Sequence, residues 1–179
     1  TITYPNMFNA TGVTSAGNVT IYRNGIIVND SSPISANYNA LLGAAYYNIT
    51  AVNPGDENYS YSSAAWTLKI NKTSSDVNLL INNTDSNYSI NQSGWINFTG
   101  LRITGDNSSL YIFENGTQIA TGYSLLEKLK QYASLGFYNI TLLYPATENY
   151  TSSNEMHWLF VNDTTPPTSS NPVATPASP

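Results

Sequence analysis

The chain repeats itself at a spacing of 91 residues: Tyr47-Asn48-Ile49-Thr50 recurs as Tyr138-Asn139-Ile140-Thr141. Pro54, Glu57, Asn58 and Tyr59 recur as Pro145, Glu148, Asn149 and Tyr150, and Asn24-Gly25 recurs as Asn115-Gly116. A match held at one spacing over that span means two copies of one folding unit. Each copy is near the size at which a single core suffices. The expected units are residues 1–72 and 73–164. Beyond them, Pro166, Pro167, Pro172, Pro176 and Pro179 interrupt Ser, Thr and Ala. Residues 165–179 therefore read as an extended linker.

Hydrophobic alternation is strand-like. Val19 and Ile21, with their copies Leu110 and Ile112, sit two apart and lead into Asn-Gly, a tight-turn signal. Ile49 and Ile140 alternate with Asn48, Thr50, Asn139 and Thr141, so one face points inward and the other to solvent. Trp66, Leu68 and Ile70 form another alternating strand; its copy holds His157, Leu159 and Val161. Trp158 is displaced by one position, so a bulge returns it to the core or it stays exposed. The expected core is Val19, Ile21, Tyr47, Ile49, Trp66 and Leu68 in the first unit. In the second it is Leu110, Ile112, Tyr138, Ile140, Leu159 and Val161. Leu125, Leu129 and Tyr132 have helical spacing, and the Glu127–Gln131 stretch is expected to form a helical turn.

The unit starts also align: Asn9-Ala10-Thr11-Gly12 matches Asn97-Phe98-Thr99-Gly100 at a spacing of 88. The three-residue difference falls between Gly100 and Leu110, where a loop tolerates insertion.

Asn-x-Ser/Thr occurs at Asn9, Asn18, Asn29, Asn48, Asn58, Asn71, Asn82, Asn87, Asn91, Asn97, Asn107, Asn115, Asn139, Asn149 and Asn162. The 41 Ser and Thr of this chain predict about five or six such sites by chance. The excess points to dense N-glycosylation. Charged residues are only 9% of the chain, against roughly 25% in ordinary soluble proteins. Sugars can supply the solubility that charge usually supplies. Six Lys and Arg leave no nucleic-acid footprint. No stretch approaches the ~20 apolar residues that span a bilayer. With no cysteine there is neither a disulfide framework nor a thiolate metal site.

These motifs resemble the immunoglobulin-like repeat domains of large bacterial and archaeal surface proteins. The residues that carry the resemblance are Val19-Thr20-Ile21-Tyr22-Arg23-Asn24-Gly25, then Tyr47, Ile49, Thr50 and Ala51, then Gly55-Asp56-Glu57-Asn58-Tyr59. In the second unit Ala146-Thr147 replaces the Gly-Asp pair. The resemblance implies two tandem immunoglobulin-like antiparallel β-sandwiches, an all-β fold, followed by the Pro-rich tail. Tyr47 and Tyr138 then stand at the tyrosine corner, two residues before an inward position. The resemblance also exposes a gap. The second unit has a first strand at 76–82 ahead of its 95–101 strand, whereas the first unit starts directly at the matching second strand, near 7–13. The missing strand lies upstream or is donated by another subunit.

Signals for chemistry are sparse. His157 is the only histidine, with no nucleophile–base set beside it in sequence. Asn83, Asp85 and Asn87 alternate as calcium ligands can, but lack the bidentate Glu and turn Gly of an EF-hand. Tyr46, Tyr59, Tyr61, Tyr144 and Tyr150 are the candidates for a sugar platform. No catalytic residue, metal site or cofactor is expected. The reading is a non-enzymatic, N-glycosylated structural module of an extracellular surface, S-layer-associated or filament protein, archaeal in character. Its expected partners are covalent N-glycans and neighbouring copies through strand exchange. The alternatives are a filament subunit polymerising by donor-strand complementation and a carbohydrate-binding adhesin.

Overall fold

A computed structural model describes residues 1–163 and Thr168. The expected linker at 165–179 lies outside the described residues apart from Thr168. Among the described residues every regular element is a strand. In chain order these are β1 (Ile2–Thr3), β2 (Phe8–Arg23), β3 (Ile26–Ala40), β4 (Tyr46–Asn53), β5 (Ser62–Asn71), β6 (Asp76–Ile81) and β7 (Tyr88–Asn91). They continue as β8 (Trp95–Thr104), β9 (Leu110–Glu114), β10 (Thr117–Gly122), β11 (Leu126–Gln131), β12 (Gly136–Tyr144) and β13 (Ser153–Asn162).

The C-terminal half forms two sheets, one ordered β11-β8-β6 and one ordered β10-β9-β12-β13-β7. This is the immunoglobulin-like layout, with strands A, B and E facing C, F and G. Strand β7 closes the larger sheet by pairing parallel with β13, Ile90 opposite Val161. The core between the sheets holds Leu79, Phe98, Ile112, Ile140 and Leu159, each fully buried.

The N-terminal half follows the same plan in one sheet ordered β1-β5-β4-β2-β3. Ile2 opposite Ile70 repeats the parallel pairing of Ile90 with Val161. Its separate core cluster gathers Val19, Ile21, Ile49, Leu68 and Ile70. Here β2 runs as one strand through the positions that β8 and β9 divide in the second half. The physical cause is the three-residue shorter connection. Pairing of β2 with β3 is interrupted most widely between Val13 and Asn18, where Gly17 takes a φ of 76°, and shifts register again on either side of Ile21.

Local chemistry fixes the corners. Asn24 and Gly25 have φ of 49° and 80°, and Asn115 and Gly116 have 46° and 81°, the left-handed pair a type I′ hairpin needs. Each turn asparagine then clamps the neighbouring strand. The Asn48 N–H donates to Asn24 Oδ1 at 2.8 Å, and the Asn139 N–H donates to Asn115 Oδ1 at 2.8 Å. The tyrosine corner is present twice: Tyr47 donates to the Gly43 carbonyl and Tyr138 to the Ser134 carbonyl, both at 3.0 Å.

Two expectations are corrected. The Glu127–Gln131 stretch is strand, not helix. It pairs with β8 along its whole length, Leu126 opposite Gly100 through Gln131 opposite Trp95. Tertiary pairing of an otherwise open sheet edge overrides helical spacing, and Leu125 and Leu129 are exposed. Trp66 does not belong to the core either. It shares a face with buried Leu68 and Ile70 but is 59% exposed, because no strand among the described residues covers it. Trp158 gets no bulge, since β12 and β13 pair in unbroken register, and it stays partly exposed.

Candidate functional site

The sequence singles out fifteen asparagines, and the structure gives each a surface. None of them is buried. Asn9, Asn18, Asn48, Asn58, Asn87, Asn91, Asn107, Asn115 and Asn162 are exposed. Asn29, Asn71, Asn82, Asn97, Asn139 and Asn149 are half-buried. Strand alternation produces this: with Ile49 and Ile140 buried, their neighbours Asn48 and Asn139 face outward or to the rim. A glycan bonds to the amide nitrogen, so the oxygen contacts matter. Asn48 Oδ1 accepts from Thr50 Oγ1 at 2.6 Å, and Asn139 Oδ1 accepts from Thr141 Oγ1 at 2.8 Å. Asn87 Oδ1 accepts from the Trp158 N–H at 2.8 Å, and Asn149 Oδ1 from the Ala44 N–H at 3.0 Å. Asn29 and Asn97 differ, since their amide nitrogens donate, Asn29 to the Asn37 carbonyl at 2.7 Å and Asn97 to Glu127 Oε1 at 3.3 Å and Thr99 Oγ1 at 3.4 Å.

A second feature is a trough in the N-terminal half. Among the described residues, 8–13 of β2 pair with β3 on one side only, whereas β8 pairs with β11 on one side and β6 on the other. Along the open side lie two cavities of about 290 and 280 Å³. One is lined by Phe8, Ala10, Ile49 and Leu68, the other by Gly12, Val19, Ala51 and Asn53, and Thr11 and Trp66 line both.

The lone histidine acquires partners that spacing does not show. His157 Nε2 lies 3.1 Å from Asp85 Oδ1 and 3.7 Å from Glu155 Oε1. These three ligand atoms lie within 4.8 Å of one another, close enough to share a cation. A hydrogen bond between the imidazole and Asp85 accounts for the same geometry. The Leu79 N–H donates to the second oxygen of Glu155, so the group ties β6 to β13 across the sandwich. Glu155 and His157, two apart on one strand face, were a readable signal; Asp85, 72 residues away, was not. The alternating Asn83, Asp85 and Asn87 do not act together. Asp85 turns to His157, while Asn87 caps the Trp158 N–H.

The tyrosines weighed as a sugar platform also part company. Tyr46, Tyr59 and Tyr61 are exposed, Tyr150 is half-buried, and Tyr144 lies in the core. Among the described residues no helix is long and apolar enough to cross a membrane.

No family model matches the chain, and no curated protein matches it in sequence. Among solved structures, the fibronectin(III)-like modules of CbhA from Clostridium thermocellum are similar at 15% identity, covering 90% of this chain and 88% of that one, with a TM-score of 0.44. The titin domains Z1Z2 in complex with telethonin share 12% identity over 92% of this chain and 93% of that one, with a TM-score of 0.48. SGBP-B of the Bacteroides ovatus mixed-linkage glucan utilization locus, in complex with a mixed-linkage heptasaccharide, shares 11% identity over 90% of this chain and 65% of that one, with a TM-score of 0.30.

Proposed function

We propose that this chain is a non-enzymatic, N-glycosylated structural module of an extracellular surface, S-layer-associated or filament protein. The observation that carries the reading is the placement of the sequons. Fifteen candidate asparagines lie among strands whose alternate residues are deeply buried, and not one falls on a buried position. The low charge fits the same picture, since sugars would replace Lys and Glu as the solvating groups.

The action of such a module is mechanical and steric. Packed sheets set the length of the segment. Glycans on the outward faces limit lateral sheet-to-sheet association, the hazard that exposed strands carry. Contacts at the junction limit hinging of one half on the other. There the Tyr4 and Tyr150 rings meet edge to face at 5.8 Å, and Lys72 Nζ donates to the Thr147 carbonyl at 2.5 Å.

The deciding experiment is the intact mass of native material before and after enzymatic removal of N-glycans. A ladder of mass increments over the polypeptide, collapsing on deglycosylation, is expected. A native mass equal to that of the bare polypeptide overturns the reading.

A further inference from the structure

We propose that the trough of the first unit is an acceptor for an extended peptide strand from outside residues 1–179. The occupant is a six-residue segment with apolar side chains at alternate positions, running antiparallel to residues 8–14.

The second unit supplies the template. There β6 pairs antiparallel with β8, placing Val77 opposite Arg102, Leu79 opposite Gly100 and Ile81 opposite Phe98. Those three side chains are 7%, 0% and 0% exposed. The 88-residue spacing carries Phe98, Gly100 and Arg102 onto Ala10, Gly12 and Thr14. The cavity beside Ala10 therefore takes the side chain equivalent to Ile81. The cavity beside Gly12 and Thr14 takes those equivalent to Leu79 and Val77. Both glycines are needed for the close approach of the strands around them. A Cβ on Gly12 would meet Val19 Cγ1 at 2.8 Å, and one on Gly100 would meet Leu142 Cδ1 at 2.6 Å.

Three observations point to a strand rather than a small molecule. Among the described residues the backbone of 8–13 has a ladder on one side alone, so its other edge offers donors and acceptors to a further strand. The two cavities share Thr11 and Trp66 and so form one elongated trough. Trp66 lies on the inward face of β5 yet is 59% exposed, an indole on a face whose neighbours Leu68 and Ile70 are covered.

The two acceptor positions also differ in chemistry. In the second unit the Glu155 carboxylate accepts the Leu79 N–H, with His157 beside it. Their counterparts in the first unit are Ala64 and Trp66. The open trough therefore favours a more apolar strand at that end, lying against an aromatic ring rather than tied by a carboxylate.

Every strand among the described residues is already paired in its own sheet. Residues 164–179 are broken by five prolines, which cannot donate to a ladder. This inference goes beyond the spacer reading and is independent of glycans, so unglycosylated recombinant chain tests it alone.

The probe is a synthetic peptide with the sequence of residues 75–82, Ser-Asp-Val-Asn-Leu-Leu-Ile-Asn. It is titrated into a Trp95→Phe/Trp158→Phe variant, in which Trp66 is the remaining tryptophan. Saturable blue-shifting of Trp66 emission is expected, with a higher thermal midpoint for the unmodified chain. A control peptide with Asp at the positions of Val77, Leu79 and Ile81 should do neither. In a parallel chain, residues 75–88 are duplicated directly ahead of Thr1. Its first unit should melt higher and no longer respond to the added peptide. The proposal is overturned if the peptide and its control act alike, or if neither the free peptide nor the fused strand raises the midpoint. It is also overturned if sedimentation shows the chain alone to be a dimer that Trp66→Asp dissolves, since a second copy would then fill the trough.

Discussion

Trp66 and His157 occupy the same register position of the two units, one opposite Ile49 and the other opposite Ile140. Both point to the inner face. His157 is covered by Asp85 and by the strand at 76–81, whereas Trp66 faces an open trough. Among the described residues the two halves thus follow one strand plan, and only in the second is the strand at 95–104 paired on both sides.

Ile140 is fully buried and Ile49 is 3% exposed, at the centres of separate core clusters. Ile140→Ala should cost about 2–5 kcal/mol through lost transfer energy and a residual cavity. Ile140→Asp should unfold the second unit outright. Denaturant titration followed by circular dichroism checks both. Normal unfolding of Ile140→Asp would contradict the burial of this position.

Gly100 leaves no room for a side chain, since its Cβ would stand 2.6 Å from Leu142 Cδ1. Gly100→Ala should destabilise the second unit by about 1–3 kcal/mol through overpacking. Leu142→Ala should also destabilise alone, but the pair should cost less than the sum. A double-mutant cycle reads that coupling.

The hydroxyl of Tyr138 donates to the Ser134 carbonyl, and the ring packs on Tyr132 with centroids 4.7 Å apart. Tyr138→Phe keeps the ring and removes the bond, so a loss of about 0.5–1.5 kcal/mol is expected. Tyr138→Ala should cost several-fold more. Equal losses in urea titration would mean that the corner bond, not the ring, carries the effect.

Tyr132 is buried in the second core and donates to the Glu114 carboxylate, whose other oxygen receives Lys130 Nζ at 2.5 Å. Burial, then the hydrogen bond to Glu114, raises its phenol well above the ordinary value of 10.0. Above that value the unfolded chain releases this proton while the folded chain keeps it. The associated stability is therefore full below about pH 10 and falls as pH climbs further. Urea titrations from pH 8 to 11 should show declining stability of the second unit, and Tyr132→Phe should flatten the decline.

Much of this protein is set by local sequence. The 91-residue repeat, the two-residue alternation around Ile49 and Ile140, the Asn-Gly turns and the tyrosine corners were all legible. They follow from backbone geometry: alternate side chains of a strand face opposite ways, and only a few residues accept the left-handed turn. The outward or rim positions of the strand sequons Asn48 and Asn139 followed from the same alternation, whereas Asn58, Asn82, Asn87, Asn107, Asn115 and Asn149 lie between strands. Other features depended on which strand lies beside which. Alternation could assign Trp66 to an inward face but could not say whether a strand covers that face. The helical spacing of Leu125 and Leu129 gave way to pairing with the strand at 95–104, because an unpaired sheet edge is costlier than a weak local preference. The meeting of Asp85 with His157, and the fusion of two strand positions into the single strand at 8–23, likewise arose only on folding. The sequence by itself determined the strands, their faces and their turns, since these depend on neighbours along the chain. The tertiary structure alone decided what covers each face, since that depends on neighbours across the sandwich.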